Sequence, residues 1–218
     1  YKRQPQWYTV KNRSRTYVNK ILEKISGEYF KNYNINKVER KTDGVRVFYG
    51  EDNEFFDYDK VVLATHADQT ISIIKNPTDE EKNLLTKFNY KKNIALIHTD
   101  EKVMPLNKKA WSSWNSSINS NNLKESSITY WLNLLQNLNV RKNIFLTLNP
   151  FFQVDKDKII KKIEFTHPYY NQEALSFQKN LSNIQNKKNI LFCGSYFGYG
   201  FHEDGIKSSI EMLKFLDD

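Results

Sequence analysis

Four of the seven glycines in this 218-residue chain, Gly194, Gly198, Gly200 and Gly205, fall within the stretch GSYFGYGFHEDGIKSSIEMLKF. The stretch comes after the apolar run Ile190-Leu191-Phe192 and ends in a segment of helical apolar spacing, so the region reads as strand, glycine loop and helix. The first turn of such a helix presents unpaired backbone N–H groups and the positive end of the helix dipole, which attract an anion or an electron-rich ligand atom. Small residues at Gly194 and Ser195 let a ligand approach the backbone, and the helix beyond Asp204 is expected to bury Ile206, Ile210 and Leu213 on one side. The same residues also fit a glycine-bearing turn with an acidic helix start that needs no ligand. The spacing is not the dinucleotide fingerprint, because Gly198-Tyr199-Gly200 is followed by Gly205 rather than by a glycine at position 203.

Four histidines are present, His66, His98, His167 and His202, and their spacing suggests no metal site. His202 sits in the glycine loop and is the candidate catalytic group, set against a purely structural histidine. Trp111 and Trp114 in WSSWN, with Tyr130 further on, are candidates for walling a flat or lipid-like substrate, or for simple packing. No G-x-S-x-G and no phosphate-binding P-loop occurs, so neither a nucleophilic hydrolase nor a P-loop nucleotidase is indicated.

These residues need elements to position them. SRTYVNKILEKISG reads as an amphipathic helix with Ser14 as N-cap and Gly27 as its stop. Strands follow with turns at Asp43-Gly44 and near Gly50, ending in Val61-Val62-Leu63-Ala64, a run of the kind buried on both faces. Thr78 with Glu81 three residues on marks a capping box. Extended stretches then recur, interrupted by WSSWNSSINSNNLKES, which reads as a polar loop, and by SSITYWLNLLQ, which fits strand or helix. NQEALSFQKNLSNIQ is helical by spacing. The organisation is α/β at both ends with a β-rich middle, as of a layered sheet carrying an inserted second lobe.

Lysine and arginine exceed aspartate and glutamate by eight. The lysines are scattered in doublets, which suits a solvated surface, so nucleic acid is not an expected partner. A single cysteine, Cys193, and the absence of any apolar run of membrane-spanning length lead to the expectation of a cytoplasmic protein without a transmembrane segment. The chain begins at Tyr1 without a methionine, as expected of a piece of a longer protein.

Six ordered segments, WYTVKNRSRTYVNKI, FDYDKVVLATHADQTISII, ALIHTDEKVMPLNKKAWSSWN, TYWLNLLQNL, TLNP and FCGSYFGYGFHEDGIKSSIEM, resemble the C-terminal two-thirds of bacterial NAD/FAD-binding proteins. These belong to the flavin-containing amine-oxidase superfamily, alongside phytoene desaturases and protoporphyrinogen oxidases. The resemblance implies an α/β fold: a partial, Rossmann-like FAD-binding lobe at 1–75 and 184–218, with an inserted mixed-sheet α+β substrate lobe at 76–183. It implies FAD as cofactor, hydride transfer from a small-molecule or lipid-like substrate, and a missing N-terminal segment of the same protein as partner. Carried over by motif, the Ile35 backbone meets the adenine, Ala64 lies beside the dinucleotide, and Gly194 and Ser195 approach the ribityl and pyrophosphate. Glu203 offers its N–H to the flavin C2 carbonyl, followed by Asp204 and Gly205 at the helix start. Where the family often has Gly-Gly-Ser before the first helix, this chain has Asn12-Arg13-Ser14. The alternatives are a non-catalytic binding or scaffold protein on the same fold, or a basic binder of anionic surfaces or nucleic acid.

Overall fold

A computed structural model of the protein describes residues 8–51 and 54–216. In chain order the elements begin with α1 (Ser14–Leu22), β1 (Ile35–Lys41), β2 (Gly44–Tyr49), β3 (Glu54–Tyr58), β4 (Val61–Leu63), α2 (Ala67–Ile73) and α3 (Asp79–Leu85). They continue with β5 (Asn89–His98), β6 (Trp114–Asn119), β7 (Asn122–Trp131), α4 (Leu132–Leu135), β8 (Phe145–Leu148), β9 (Ile159–Tyr169), α5 (Gln172–Gln178), β10 (Ile190–Phe192) and α6 (His202–Leu213).

The chain divides into two compact units. One takes the residues up to Phe30 with Asn93–Phe165, the other Lys31–Lys92 with the residues from Thr166 on. These limits differ from the boundaries at 75/76 and 183/184 read from the sequence. The reason is packing: Leu84, Leu85, Phe88, Ala174, Leu181 and Ile184 share one buried cluster with Val38, Leu63, Ile190 and Phe192. Residues on both sides of the expected boundaries therefore build a single core.

The second unit contains an antiparallel meander, β1-β2-β3, and a parallel pair of β10 with β4. The capping box forms as expected: Glu81 N donates to Thr78 Oγ1 at 3.2 Å, and Thr78 N donates to Glu81 Oε2 at 2.8 Å. Glu81 is fully buried and its other oxygen pairs with Arg40 of β1, which ties α3 to the meander. Two expectations fail here. Val61-Val62-Leu63-Ala64 is not buried on both faces, because β4 ends its sheet; only Leu63 is buried, and Val62 and Ala64 are exposed. On α6, Ile206, Ile210 and Leu213 are exposed, whereas Met212 joins Leu191 and Cys193 with Phe215 and Leu216 packed against them. The stripe has helical spacing, but α6 turns a different side to the sheet.

The first unit holds the five-stranded sheet, in the order β6-β7-β8-β5-β9. The segment read as a polar loop is a hairpin of β6 and β7, with Trp114 opposite Tyr130 and Ser116 opposite Ile128. Its Ser and Asn side chains are tolerated because this hairpin is largely solvated, so polarity is no argument against strands here. SSITYWLNLLQ resolves into both alternatives, strand through Trp131 and a single helical turn after it. Helix α1 ends at Leu22, short of Gly27, and Ser14 is its first residue rather than its cap, with Arg13 at the cap position. None of its residues is buried. Among the described residues no helix is long and apolar enough to cross a membrane.

Candidate functional site

Because β4 and β10 run parallel with Phe192 beside Leu63, the segments that leave them emerge at the same, carboxyl-terminal edge. Open α/β sheets bind ligands outside this edge. Ala64-Thr65 and Cys193-Gly194-Ser195 meet there, and a Cβ on Gly194 would lie 3.7 Å from Thr65 O. The glycine loop then makes a 3-10 turn over Ser195–Phe197 and enters α6.

The loop glycines divide by cause. Gly194 has φ 152°, and a Cβ there would reach within 2.8 Å of the Tyr196 ring. A Cβ on Gly198 would lie 2.4 Å from Asp204 Cγ, because that carboxylate folds over the loop to accept the N–H groups of Tyr199 and Phe201, each at 3.0 Å. Gly200 has φ 90° and faces Tyr170. Gly205 is different: the nearest atom to a Cβ there is Ser195 N at 4.0 Å. The chain itself makes no demand for glycine at 205.

Ser208 locks the helix start onto the strand exit. Gly194 N donates to Ser208 Oγ at 2.9 Å, and that hydroxyl donates to Gly205 O at 2.7 Å. Phe201, at the cap position of α6, has no side-chain oxygen to offer, so the first-turn amides receive no side-chain cap. Uncapped amides and the helix dipole together favour an electron-rich group in front of the first turn. Glu203 points into solvent with Lys207 at 3.6 Å, and His202 is exposed at the first helical position.

The same edge brings in residues that sequence reasoning does not select. His66 lies three residues past the end of β4 and stacks on Tyr90, with ring centroids 4.4 Å apart and planes at 16°. Tyr90 Oη accepts the Ala67 N–H at 2.9 Å, and burial pushes its phenol up to about 12 against the pull of that N–H. Tyr170 Oη donates to Ser195 O at 3.3 Å, and burial likewise raises it to about 12. The available signal is His66 shortly after an apolar strand; nothing local announces Tyr90 or Tyr170. Ile35, by contrast, opens β1 opposite Tyr49 in the meander, so the structure groups it with the strands rather than with the glycine loop.

The remaining candidates lie in the first unit. Trp111 packs edge-on against Trp131 at 5.3 Å and Phe145 at 5.7 Å, and its Nε1 donates to Pro105 O at 2.8 Å. Trp114 is exposed, with Tyr130 edge-on at 5.3 Å. It lines a cleft of about 580 Å³ with Tyr8, Leu134 and Leu135, a size that suits a small organic ligand. Trp111 and Tyr130 do not line it.

A neighbouring cleft of about 590 Å³ is edged by Thr9–Arg13 and Gln136–Val140. There Asn12 and Arg13 both take positive φ, 62° and 67°, at the two positions where the resemblance has glycines. Arg13, at ψ −165°, occupies a region open almost only to glycine, which costs about 1–3 kcal/mol. Arg13→Gly is therefore expected to raise stability by about 1 kcal/mol after the entropy cost of glycine, read as a higher urea midpoint at unchanged slope.

His98 is fully buried in the five-stranded sheet rather than facing a cleft. Its Nδ1 accepts the Asp100 N–H at 3.1 Å, so the proton sits on Nε2, which meets Thr147 Oγ1 at 2.7 Å, and Thr147 in turn meets Thr129 at 2.9 Å. Burial lowers its pKa below 6.5, although the Asp100 carboxylate pulls the other way. The native state thus takes up this proton later than the unfolded chain. Its contribution to stability is complete above pH 6.5 and falls as pH drops from there towards the native value. Urea unfolding between pH 7 and 5 should show wild-type stability falling more steeply than that of His98→Gln, and equal slopes would remove the histidine from the account. Among the described residues, no group of three or more His, Cys, Asp or Glu side chains is arranged to hold a metal ion.

Neither a protein-family model nor a curated protein matches the chain. Solved structures do. A fatty acid isomerase from P. acnes that produces CLA aligns with TM-score 0.61 at 13% identity, over 88% of this chain and 49% of its own. Putrescine oxidase bound to putrescine aligns with TM-score 0.64 at 9% identity, over 95% and 53%. A protoporphyrinogen oxidase-like protein from Exiguobacterium sp. 255-15 gives TM-score 0.56 at 11% identity, over 92% and 50%. The chain spans about half the length of each. The chain shares the fold of these three proteins over roughly half of each.

Proposed function

We propose that the chain is part of an FAD-dependent oxidoreductase, with the flavin's electron-rich edge lying before the first turn of α6. The observation that carries this reading is the cradle at Gly205. It lies beside the Ser195 amide at the carboxyl-terminal edge of a parallel pair, and the chain's own packing gives no reason for glycine there. One of the solved neighbours is a putrescine oxidase variant redesigned in its cofactor binding, which fits the same reading.

Ala64, Gly194, Ser195, Asp204 and Gly205 would line the cofactor's approach, and the Glu203 amide would donate to it. Asp204 acts indirectly, since its carboxylate holds the loop in shape for the amides to converge. Ile35 is the proposed backbone contact to the adenine. Bound flavin supplies the capacity to accept a hydride from an organic C–H bond. The uncapped amides at the start of α6 favour the negative charge that this transfer brings. His202, exposed at the same helix start, is the proposed catalytic side chain, and a small or lipid-like organic molecule is the proposed substrate.

The full-length protein should carry FAD as purified and absorb in the flavin's blue band. A colourless, fully folded preparation indifferent to added FAD would overturn the proposal.

A further inference from the structure

Two clefts of the first unit adjoin one another and differ in chemistry. The cleft of about 580 Å³ presents Tyr8, Trp114, Leu134 and Leu135. Trp114 is 62% exposed and Leu134 55%, so apolar surface stands open there. The cleft of about 590 Å³ carries Lys11, Arg13, Gln136 and Asn139 instead. Thr9 and Asn137 line both, so the two are contiguous. Among the described residues that line them, none is aspartate or glutamate. The pair is apolar at one end and positive at the other.

Arg13 shapes the positive end. Its Nε donates to Gln136 Oε1 at 3.0 Å, which joins the two walls of that cleft. Nη1 and Nη2 have no partner among the described residues, and neither Arg13 nor Lys11 is in an ion pair there. With Nε engaged, the guanidinium keeps one free edge, two parallel N–H donors that match the two oxygens of a carboxylate. The backbone sharpens the point. At φ 67° and ψ −165°, Arg13 stands where glycine alone is at ease. An exposed hydrogen bond to Gln136 is too weak to offset that strain. A strained arginine with a free donor edge beside an open cleft fits a ligand clamp, where such strain collects.

We propose that the joined clefts bind an amphipathic carboxylate, with its apolar body against Trp114, Leu134 and Leu135 and its two oxygens on the free edge of Arg13. Lys11 adds positive charge at the same end. A cationic amine meets no counter-ion among the lining residues, and a neutral lipid leaves Arg13 unused. A phosphate monoester has three acceptor oxygens, more than one guanidinium edge serves. The inference goes beyond the oxidoreductase reading, which assigns no charge to the substrate, and it needs no flavin.

The probes are octanoate, octanol, octylammonium and octyl phosphate, titrated into the full-length protein by calorimetry, whether or not it carries FAD. Octanoate should bind at least about fivefold tighter than octanol or octylammonium. Arg13→Gly should erase that preference while raising the urea midpoint, two changes of opposite sign that misfolding does not produce. Trp114→Ala should weaken octanoate and octanol alike, by about fivefold or more. Equal affinity for octanoate and octanol would overturn the proposal, as would an octanoate preference that survives in Arg13→Gly. So would tighter binding of octyl phosphate than of octanoate, which assigns the clefts to a phosphate ester, or failure of every probe to bind at millimolar concentration.

Discussion

Arg40→Ala is expected to lower the stability of the protein by about 3–5 kcal/mol, as the loss of one partner from a buried ion pair does. Arg40 Nη2 meets Glu81 Oε1, and the Glu81 side chain has no solvent exposure at all. The other carboxylate oxygen accepts the Thr78 N–H at 2.8 Å, so Glu81 cannot swing out to water without also undoing the cap of α3. Removing the guanidinium leaves a carboxylate desolvated and uncompensated between β1 and α3. The double replacement Arg40→Met with Glu81→Leu should recover most of the loss, because a buried ion pair and an apolar pair of similar volume are near equal in stability. Urea unfolding of both variants tests this. A loss below about 1 kcal/mol for Arg40→Ala would mean that Glu81 reaches water in solution.

Gly205→Val should leave the fold nearly unchanged while weakening FAD binding by roughly tenfold to a hundredfold, the size expected when a side chain overfills a close contact by about 1–3 kcal/mol. The separation of the two effects follows from geometry. The first Cβ contact at 205 is 4.0 Å away, so the chain has room for a side chain, and valine is a better helix residue than glycine. Gly50→Val is the opposite case. Gly50 lies at φ 69° in the turn between β2 and β3, where a side chain is strained whatever the space. That variant should lose stability, and its folded fraction should bind FAD normally. If the two variants retained flavin equally, Gly205 would be only part of a turn.

Much of the local structure is legible in the chain. Thr78 and Glu81 announce their capping box, the turn at Asp43-Gly44 follows β1, and strand, glycine loop and helix appear in that order at the end. The resemblance in six segments corresponds to a fold that the solved structures share. The polar hairpin of β6 and β7 reads as a loop because Ser and Asn content reports solvation, and a solvated strand looks like a loop in composition. His66 with Tyr90 escapes a reading along the chain because the two rings lie twenty-four positions apart and meet only after folding.

Spacing and chemistry along the chain determined the capping box of α3, which loop carries the glycines, and that the last helix starts beside them. Only the tertiary structure decided which faces are covered: α6 hides Met212 instead of its apolar stripe, α1 hides nothing, and β4 lies at an edge. It also decided that Glu81 is paired with Arg40, and that three loop glycines serve the chain while Gly205 does not. The physical reason is one of range. Propensity, capping and turn chemistry act within a few residues, whereas burial and pairing depend on what stands opposite, supplied by segments far away in the chain.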